Sequence, residues 1–264
     1  MQLGLEGKTA LVTGSTAGIG YAAALALAQE GAAVVVNGRT QARVDEAVAR
    51  IKSDGGSGNV SGVAADLGTA GGCAAAIAQV PEVDILVNNV GIFEPKDFGD
   101  ITDGDWMRFF ETNVLSGVRL SRHYFPLMKA KNWGRIVFVS SESAVNIPAE
   151  MIHYGMTKTA QLAVARGLAE LTVGTGVTVN SVLPGPTKSE GVGTFVAQMA
   201  QAQGKSEDAM EEEFFQSARP SSLLHRFETP AEIAAMITFV CSAAASGVSG
   251  AALRVEGGVV RSVV

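Results

Sequence analysis

The sequence predicts an α/β fold: one domain with a parallel β-sheet that is covered by helices on both faces. Short runs rich in Val, Ile and Leu alternate with helical stretches over almost all of the 264 residues, and no linker or internal repeat divides the chain. The runs are nearly continuous in apolar residues, which is typical of strands buried on both faces. Repeated strand–helix order then implies right-handed crossovers between parallel strands.

The predicted elements follow one another in regular order. Strands are predicted over residues 8–13, 33–37, 60–65, 85–88, 135–140 and 178–183, and helices over 18–29, 41–52 and about 151–171. The helix over 41–52 places Val44, Val48 and Ile51 on one face, as expected of a helix that packs on a sheet.

Residues 188–222 depart from this order. The segment follows a strand end and is long for a plain connection. Its acidic and large apolar residues are Glu207, Asp208, Glu211, Glu212, Glu213, Phe195, Met199, Phe214 and Phe215. Because ligands of open α/β sheets bind at the carboxyl edge of the strands, we interpret it as a helical substrate flap over that edge. The alternative is a solvent-exposed helical segment that packs on the body of the domain through its aromatic residues.

Composition excludes several functional classes. Twenty Lys and Arg against 26 Asp and Glu give a net charge of −6, which argues against nucleic acid or an anionic membrane as a partner. Cys73 and Cys241 are too few for a disulfide scaffold or a cysteine-built zinc site, and we predict no metal site. Because no signal-like segment and no apolar run of about 18 residues is present, the expected location is cytoplasmic.

A glycine-rich loop, residues 13–20, joins the first predicted strand to the first helix. Its Gly14, Gly18 and Gly20 follow the spacing G-x-x-x-G-x-G. Such glycines permit a tight turn and let backbone N–H groups approach a pyrophosphate at the helix N-terminus. A tight turn without a ligand would need the same glycines, but the position in the first strand–helix unit favours dinucleotide binding.

Tyr154 and Lys158 lie four residues apart on a predicted helix, so their side chains share one face. A nearby ammonium would lower the pKa of the phenol from about 10 and make it a usable acid or base. Ser141, at a strand end, could donate a hydrogen bond to a substrate carbonyl oxygen. By themselves, a Tyr and a Lys four residues apart are most often a surface or half-buried pair on a helix. The glycine loop in the same chain favours the catalytic interpretation.

Together these motifs resemble the short-chain dehydrogenase/reductase family, and within it the simple reductases similar to 3-oxoacyl-carrier-protein reductases. The matching segments are 13–20, 88–91, Asn113, Ser141, 154–158 and 184–185. Val90, where the family commonly has Ala, and residues 186–189, where Ile or Val and then Thr are usual, depart from the pattern. The resemblance implies a Rossmann-like doubly wound fold and hydride transfer between a nicotinamide cofactor and a carbonyl or alcohol carbon.

The resemblance also implies roles for single residues. Tyr154 would protonate the developing alkoxide while Ser141 hydrogen-bonds the same oxygen, and Lys158 would hold the nicotinamide ribose. Asn113 would position a water that links Lys158 to solvent; a structural amide is the alternative. The implied cofactor contacts are Gly14, Ser15, Thr16, Gly18, Ile19, Gly20, Asp66, Leu67, Asn89, Gly91, Tyr154, Lys158, Pro184, Gly185, Thr187 and Ser189. Asp66, Leu67 and Asn89 have structural alternatives as turn or core residues.

The end of the second strand predicts the cofactor. An acidic residue there binds the adenine ribose 2′-hydroxyl and repels a 2′-phosphate, and this sequence has Gly38 instead. Arg39 could pair with the 2′-phosphate, and Asn37 and Thr40 could add hydrogen bonds. NADP(H) is therefore favoured and NAD(H) stays possible, because Ala17 in the glycine loop is not basic.

The expected partner is a small carbonyl or alcohol substrate. An NAD-dependent alcohol dehydrogenase and a non-catalytic dinucleotide-binding sensor are the alternatives. The resemblance implies a homotetramer or homodimer, with contacts through the helices around 105–129 and 151–171 and through residues 253–264. We expect His153 to pack rather than act as a base, because adjacent helix positions point about 100° apart.

Overall fold

The computed structural model describes residues 2–56 and 59–263, and in them seven parallel strands form one sheet. In chain order the strands are β1 (Thr9–Val12), β2 (Ala33–Gly38), β3 (Val60–Ala64), β4 (Ile85–Asn88), β5 (Gly134–Val139), β6 (Val177–Pro184) and β7 (Ala252–Val255). Their order across the sheet is β3-β2-β1-β4-β5-β6-β7, so the chain starts in the middle and winds outward in both directions. The predicted doubly wound α/β fold is confirmed.

Nine helices accompany the strands in the described part of the chain. They are α1 (Gly18–Gln29), α2 (Gln41–Ser53), α3 (Ala70–Gln79), α4 (Asp103–Phe110), α5 (Ser116–Ala130), α6 (Ile152–Glu170), α7 (Glu190–Gln203), α8 (Glu207–Ser217) and α9 (Pro230–Cys241). A π-helical turn over Glu111–Leu115 joins α4 to α5. No helix among the described residues has both the length and the apolarity to cross a bilayer.

The strands divide their side chains between two cores. In β1, Ala10 and Val12 pack under α1, α2 and α9, whereas Leu11 packs under α3, α5 and α6 on the other face. This alternation follows from the pleat of the strand, and burial on both faces explains why the central runs are mostly apolar. Cys73 and Cys241 are buried free thiols within these cores.

One strand was not predicted from the sequence. Ala252–Val255 forms β7, which pairs in parallel with β6, and the expectation that residues 253–264 lie at a subunit interface stays a prediction. Ala252 and Arg254 are exposed and the residues between and after them are half-buried. The short alternating run lacks the continuous apolar signal of the central strands because β7 lies at the edge of the sheet.

The segment 188–222 contains α7 and α8, so its predicted helical character is confirmed. Ala200, Met210, Phe215 and Phe227 form a small separate core that holds the two helices together after β6. The side chains of Phe195 and Met199 lie outside the described residues. Because all strands are parallel, this segment follows the edge at which the carboxyl ends of β1, β4, β5 and β6 meet.

Asn37 connects the loops that follow the first three strands. Its Oδ1 accepts a hydrogen bond from Gly14 N at 3.0 Å, and its Nδ2 donates to Val63 O at 3.2 Å and Ala65 O at 3.1 Å. The residue is 1% exposed, so the expectation that Asn37 could bind the cofactor is wrong. Both of its N–H donors are used inside the fold.

We expect Asn37→Ala to lower the free energy of unfolding by about 3 kcal/mol, because three buried backbone groups lose their partner. Urea denaturation measures the change. Thr40→Ala is the control: Thr40 is exposed and its side chain makes no capping hydrogen bond, so a change within about 0.5 kcal/mol is expected. A loss for Asn37→Ala no larger than that of the control would contradict the structural role.

Candidate active site

Two hydrogen bonds fasten the start of α6 to the end of β5. Lys158 Nζ donates to Val139 O at 3.0 Å, and Ser140 Oγ donates to Lys158 O at 2.9 Å. Helix and strand are thereby held in one register. As a result Ser141, just after β5, and Tyr154, one turn before Lys158, line the same cavity.

The cavity has a volume of about 610 Å³ and lies at the carboxyl edge of the sheet. Its apolar lining includes Ile92, Phe93, Met151, Val192, Met210, Phe214 and Phe227. The polar residues Ser141, Glu142, Ser143, Tyr154 and Lys158 also line it. A largely apolar cavity with a few convergent polar groups is suited to a small organic ligand.

Burial sets the protonation of the two central groups. It raises the pKa of Tyr154 to about 12, although a hydrogen bond with the Ser141 hydroxyl acts in the opposite direction. Burial also lowers the pKa of Lys158 to about 8. The expectation that Lys158 lowers the phenol pKa is therefore wrong for this structure. Lys158 Nζ lies 5.6 Å from the centre of the Tyr154 ring and donates its hydrogen bonds elsewhere.

Asn113, in the π-helical turn, links other parts of the fold through its side-chain hydrogen bonds. Its Oδ1 accepts from Ile92 N at 2.8 Å, and its Nδ2 donates to Ile92 O and to Thr157 Oγ1, both at 3.0 Å. The amide thus joins the loop after β4 to α6, beyond its own helix. Its backbone carbonyl accepts from Gln161 Nε2 at 2.6 Å.

A second cleft, of about 240 Å³, lies along the glycine loop. It is lined by Ala17, Gly18, Ile19, Gly20, Asn89, Ser189, Glu190 and Gly191, three of which (Ile19, Asn89 and Ser189) also line the larger cavity. A Cβ at Gly20 would lie 2.4 Å from Gly14 O and 2.5 Å from Asn89 Nδ2. The loop therefore closes this tightly only with glycine. Helix α1 begins at the cleft and has no acidic residue in its first turn, which suits a pyrophosphate.

Several predicted cofactor residues use their polar groups inside the fold. Ser15 is fully buried: its N–H donates to Asn37 O at 2.9 Å and its Oγ to Val12 O at 2.6 Å. The expectation of a direct contact through these groups is wrong. Asn89 Nδ2 donates to the carbonyls of Thr13 and Gly14, which is the strand-supporting alternative.

The remaining predicted contacts fall into two groups. The Leu67 side chain is buried in a core, and Asp66 Oδ1 accepts from Gly68 N at 3.1 Å in the turn before α3. Residues that line the large cavity as predicted are Gly91, Pro184, Gly185, Thr187 and Ser189. Thr187 Oγ1 donates to Gly185 O at 2.9 Å, and Ser189 Oγ caps α7.

Packing explains the glycine at the end of β2. A Cβ at Gly38 would lie 2.5 Å from Thr16 Cγ2, so no acidic side chain fits here while Thr16 keeps its place. Arg39 and Thr40 follow on the surface, both exposed. Arg39 makes no ion pair or hydrogen bond within the described ranges. Its guanidinium is thus available to an anion.

A buried ion pair connects the 188–222 segment to the cavity wall that holds Ser141 and Tyr154. Arg219 Nε donates to Glu142 Oε1 at 2.8 Å, and both residues are under a tenth exposed. Burial raises the pKa of Glu142, and Arg219 acts against that rise. The sequence does not predict this pair, because no local pattern links residues 77 positions apart.

Two further residues bear on the sequence analysis. His153 packs between Trp106 and Phe109 with ring centres 6.0 and 4.0 Å away, as its expected packing role requires. Gln161 was missed, although its position one turn after Lys158 on the same helix face was a usable signal.

The similarity to known proteins covers the residues that line both cavities. The family model described as short chain dehydrogenase matches residues 8–200. The uncharacterized oxidoreductase YvrD of Bacillus subtilis is 51% identical over 265 residues, 99% of this chain and 100% of that protein. Two solved structures are also similar. L-sorbose reductase from Gluconobacter frateurii, complexed with NADPH and L-sorbose, is 30% identical with a TM-score of 0.93, covering 100% of both chains. The 3-oxoacyl (acyl-carrier-protein) reductase from Agrobacterium tumefaciens C58, with NADP bound, is 29% identical with a TM-score of 0.87, covering 97% of this chain and 95% of that chain.

We expect Arg219→Met to speed amide hydrogen exchange in α8, because it leaves Glu142 buried without its cation, a change that costs about 3 kcal/mol in buried pairs. Lys205→Met is the matched control in the same segment. It removes the exposed ion pair with Glu213 and should change exchange little. Equal exchange in the two variants would show that the buried pair does not hold the segment.

Proposed function

Because the chain belongs to the short-chain dehydrogenase family, whose members are NAD(P)-dependent oxidoreductases, we propose that it is an NADPH-dependent reductase of small ketones. The observation that supports this most strongly is the meeting of Ser141, Tyr154 and Lys158 at one wall of the 610 Å³ cavity. That wall adjoins the glycine-lined cleft, so a substrate carbonyl and a bound dinucleotide could lie side by side.

Each of the three side chains would have a distinct task. With a pKa of about 12, the Tyr154 phenol carries its proton at neutral pH, and an alkoxide is far more basic than a phenolate, so transfer to the product oxygen is downhill. The Ser141 hydroxyl would hydrogen-bond the same oxygen. The Lys158 ammonium, which lines the same cavity, would bind the nicotinamide ribose. When bound, the nicotinamide supplies the hydride.

The chain's own residues would hold the dinucleotide at three places. The N-terminal N–H groups of α1 face the 240 Å³ cleft and would bind the pyrophosphate. Lys158, Thr187 and Ser189 border the large cavity and would contact the nicotinamide half. Arg39 would pair with a 2′-phosphate. The NADPH and NADP in the two similar structures favour NADP(H), and NAD(H) stays possible.

A ketose is the substrate class to test first. The reductase with L-sorbose bound matches this chain over its full length, and the Glu142–Arg219 pair adds charged groups to the polar residues of a largely apolar cavity. The apolar lining and the similar 3-oxoacyl reductase make a 3-oxoacyl thioester the second candidate. NAD-dependent oxidation of an alcohol would use the same groups in reverse.

The family resemblance also supports a homotetramer or homodimer in the cytoplasm. Light scattering of the purified chain distinguishes either assembly from a monomer.

The proposed reaction is tested with NADPH and a panel of ketoses and 3-oxoacyl thioesters. We expect Tyr154→Phe to lower kcat by about 10²- to 10⁴-fold, the usual contribution of a positioned acid, while the Kd for NADPH changes little. NADPH absorbance gives the rate, and cofactor fluorescence gives the Kd. Near-normal turnover in this variant would show that Tyr154 is not the proton donor.

Cofactor choice is tested at Arg39. We expect Arg39→Ala to lower the preference of kcat/KM for NADPH over NADH by about ten- to a hundredfold, or about 1.4–3 kcal/mol for one charge-assisted contact. Arg43→Ala, which alters an exposed arginine on α2, should leave the preference unchanged. A wild-type preference for NADH, or equal effects of the two variants, would refute this assignment.

A further inference from the structure

Gln161 lies on α6 one turn after Lys158 and is 1% exposed. Its Oε1 accepts a hydrogen bond from Lys158 Nζ at 3.3 Å, and its Nε2 donates to the backbone carbonyl of Asn113 at 2.6 Å. A second acceptor, Val139 O, lies 3.0 Å from Nζ. One buried amide therefore spans the distance from the ammonium to the π-helical turn.

The two partners fix the orientation of this amide. An ammonium only donates hydrogen bonds, and a backbone carbonyl only accepts them. If the amide were turned over, its NH₂ group would face the ammonium and its oxygen would face the carbonyl of Asn113. An apolar side chain in its place would leave both groups buried and without this partner, which is costly.

We propose that Gln161 is the positioning residue of Lys158. Together with Val139, it occupies two of the three N–H donors of the ammonium and leaves the third for the cavity. It also occupies the carbonyl of Asn113, so a side-chain amide connects Lys158 to that turn.

The groups around Lys158 make it depend on these two acceptors. Tyr154 faces it from the same helix, Val139 from β5, and Gly91 from the loop after β4, where an added Cβ would lie 3.4 Å from Nζ. In the described ranges no carboxylate pairs with Nζ. Glu142 and Arg219 act on the pKa of Tyr154. Because burial lowers the pKa of Lys158 to about 8, the loss of an acceptor takes effect near neutral pH.

The test uses two substitutions with opposite electrostatic signs. Gln161→Met keeps the length of the side chain and removes the acceptor, and Gln161→Glu keeps the shape and adds a negative charge. In protein with ¹³C-labelled lysine, the Cε resonance of Lys158 is assigned by its loss in Lys158→Met and is followed against pH. We expect the apparent pKa of Lys158 to fall by about one unit in Gln161→Met and to rise by about one unit in Gln161→Glu.

A purely structural role of Gln161 would shift neither value, or both in the same direction, and either result overturns the inference. If Gln161→Met does not fold, the direction of the pKa shift of Lys158 in Gln161→Glu decides. A raised pKa supports the proposal, and an unchanged or lowered pKa contradicts it. The catalytic meaning of the inference depends on the proposed function. In the reductase assay, the high-pH limb of kcat/KM should move in the same two directions. If the two variants shift the pKa of Lys158 in opposite directions but the wild-type protein reduces no ketone, the positioning role stands and only the proposed function is refuted.

Discussion

The ammonium of Lys158 joins α6 to the carboxyl end of β5, and the geometry of the cavity wall formed by Ser141, Tyr154 and Lys158 depends on this join. A buried ammonium is costly unless its donors are used, and Val139 O and Gln161 Oε1 accept two of them. Ser140 Oγ adds a bond from the strand back to the carbonyl of Lys158. The helix cannot slide along the strand without breaking these bonds, so Ser141 and Tyr154 continue to line the same cavity.

The dinucleotide side of the site is built by the same means. Side chains hold the loops by hydrogen bonds inside the fold, and the start of α1 lines the cleft. Asn37, Ser15 and Asn89 direct their hydrogen bonds to loop backbone after β1 and β3 or to β1 itself. The glycines then close the loop to distances that no Cβ would allow. Ser15 in the glycine motif therefore supports the fold, and the positive end of α1 has the charge that suits an anion.

The sequence predicts elements well where one signal dominates. The central strands agree to within one residue because burial on both faces makes them continuous apolar runs. The edge strand β7 lacks that signal, since Arg254 interrupts it and one face is exposed. Within the site, spacing predicts that Tyr154 and Lys158 share a face, but it cannot show how deeply they are buried. The pKa of Tyr154 therefore moves opposite to expectation. The Glu142–Arg219 pair depends on tertiary packing, which has no local sequence signature.

The central claim is that a ketone carbon receives hydride from NADPH at the Ser141–Tyr154–Lys158 wall. Its most direct test is reduction of L-sorbose, the ketone bound in the similar reductase, with NADPH that carries deuterium at both C4 positions. Mass spectrometry and NMR locate the label in the product. Hydride transfer from NADPH places one deuterium on the former carbonyl carbon, and none when the deuterium is supplied only by the solvent. A reduced product whose carbinol carbon takes its hydrogen from solvent would contradict it.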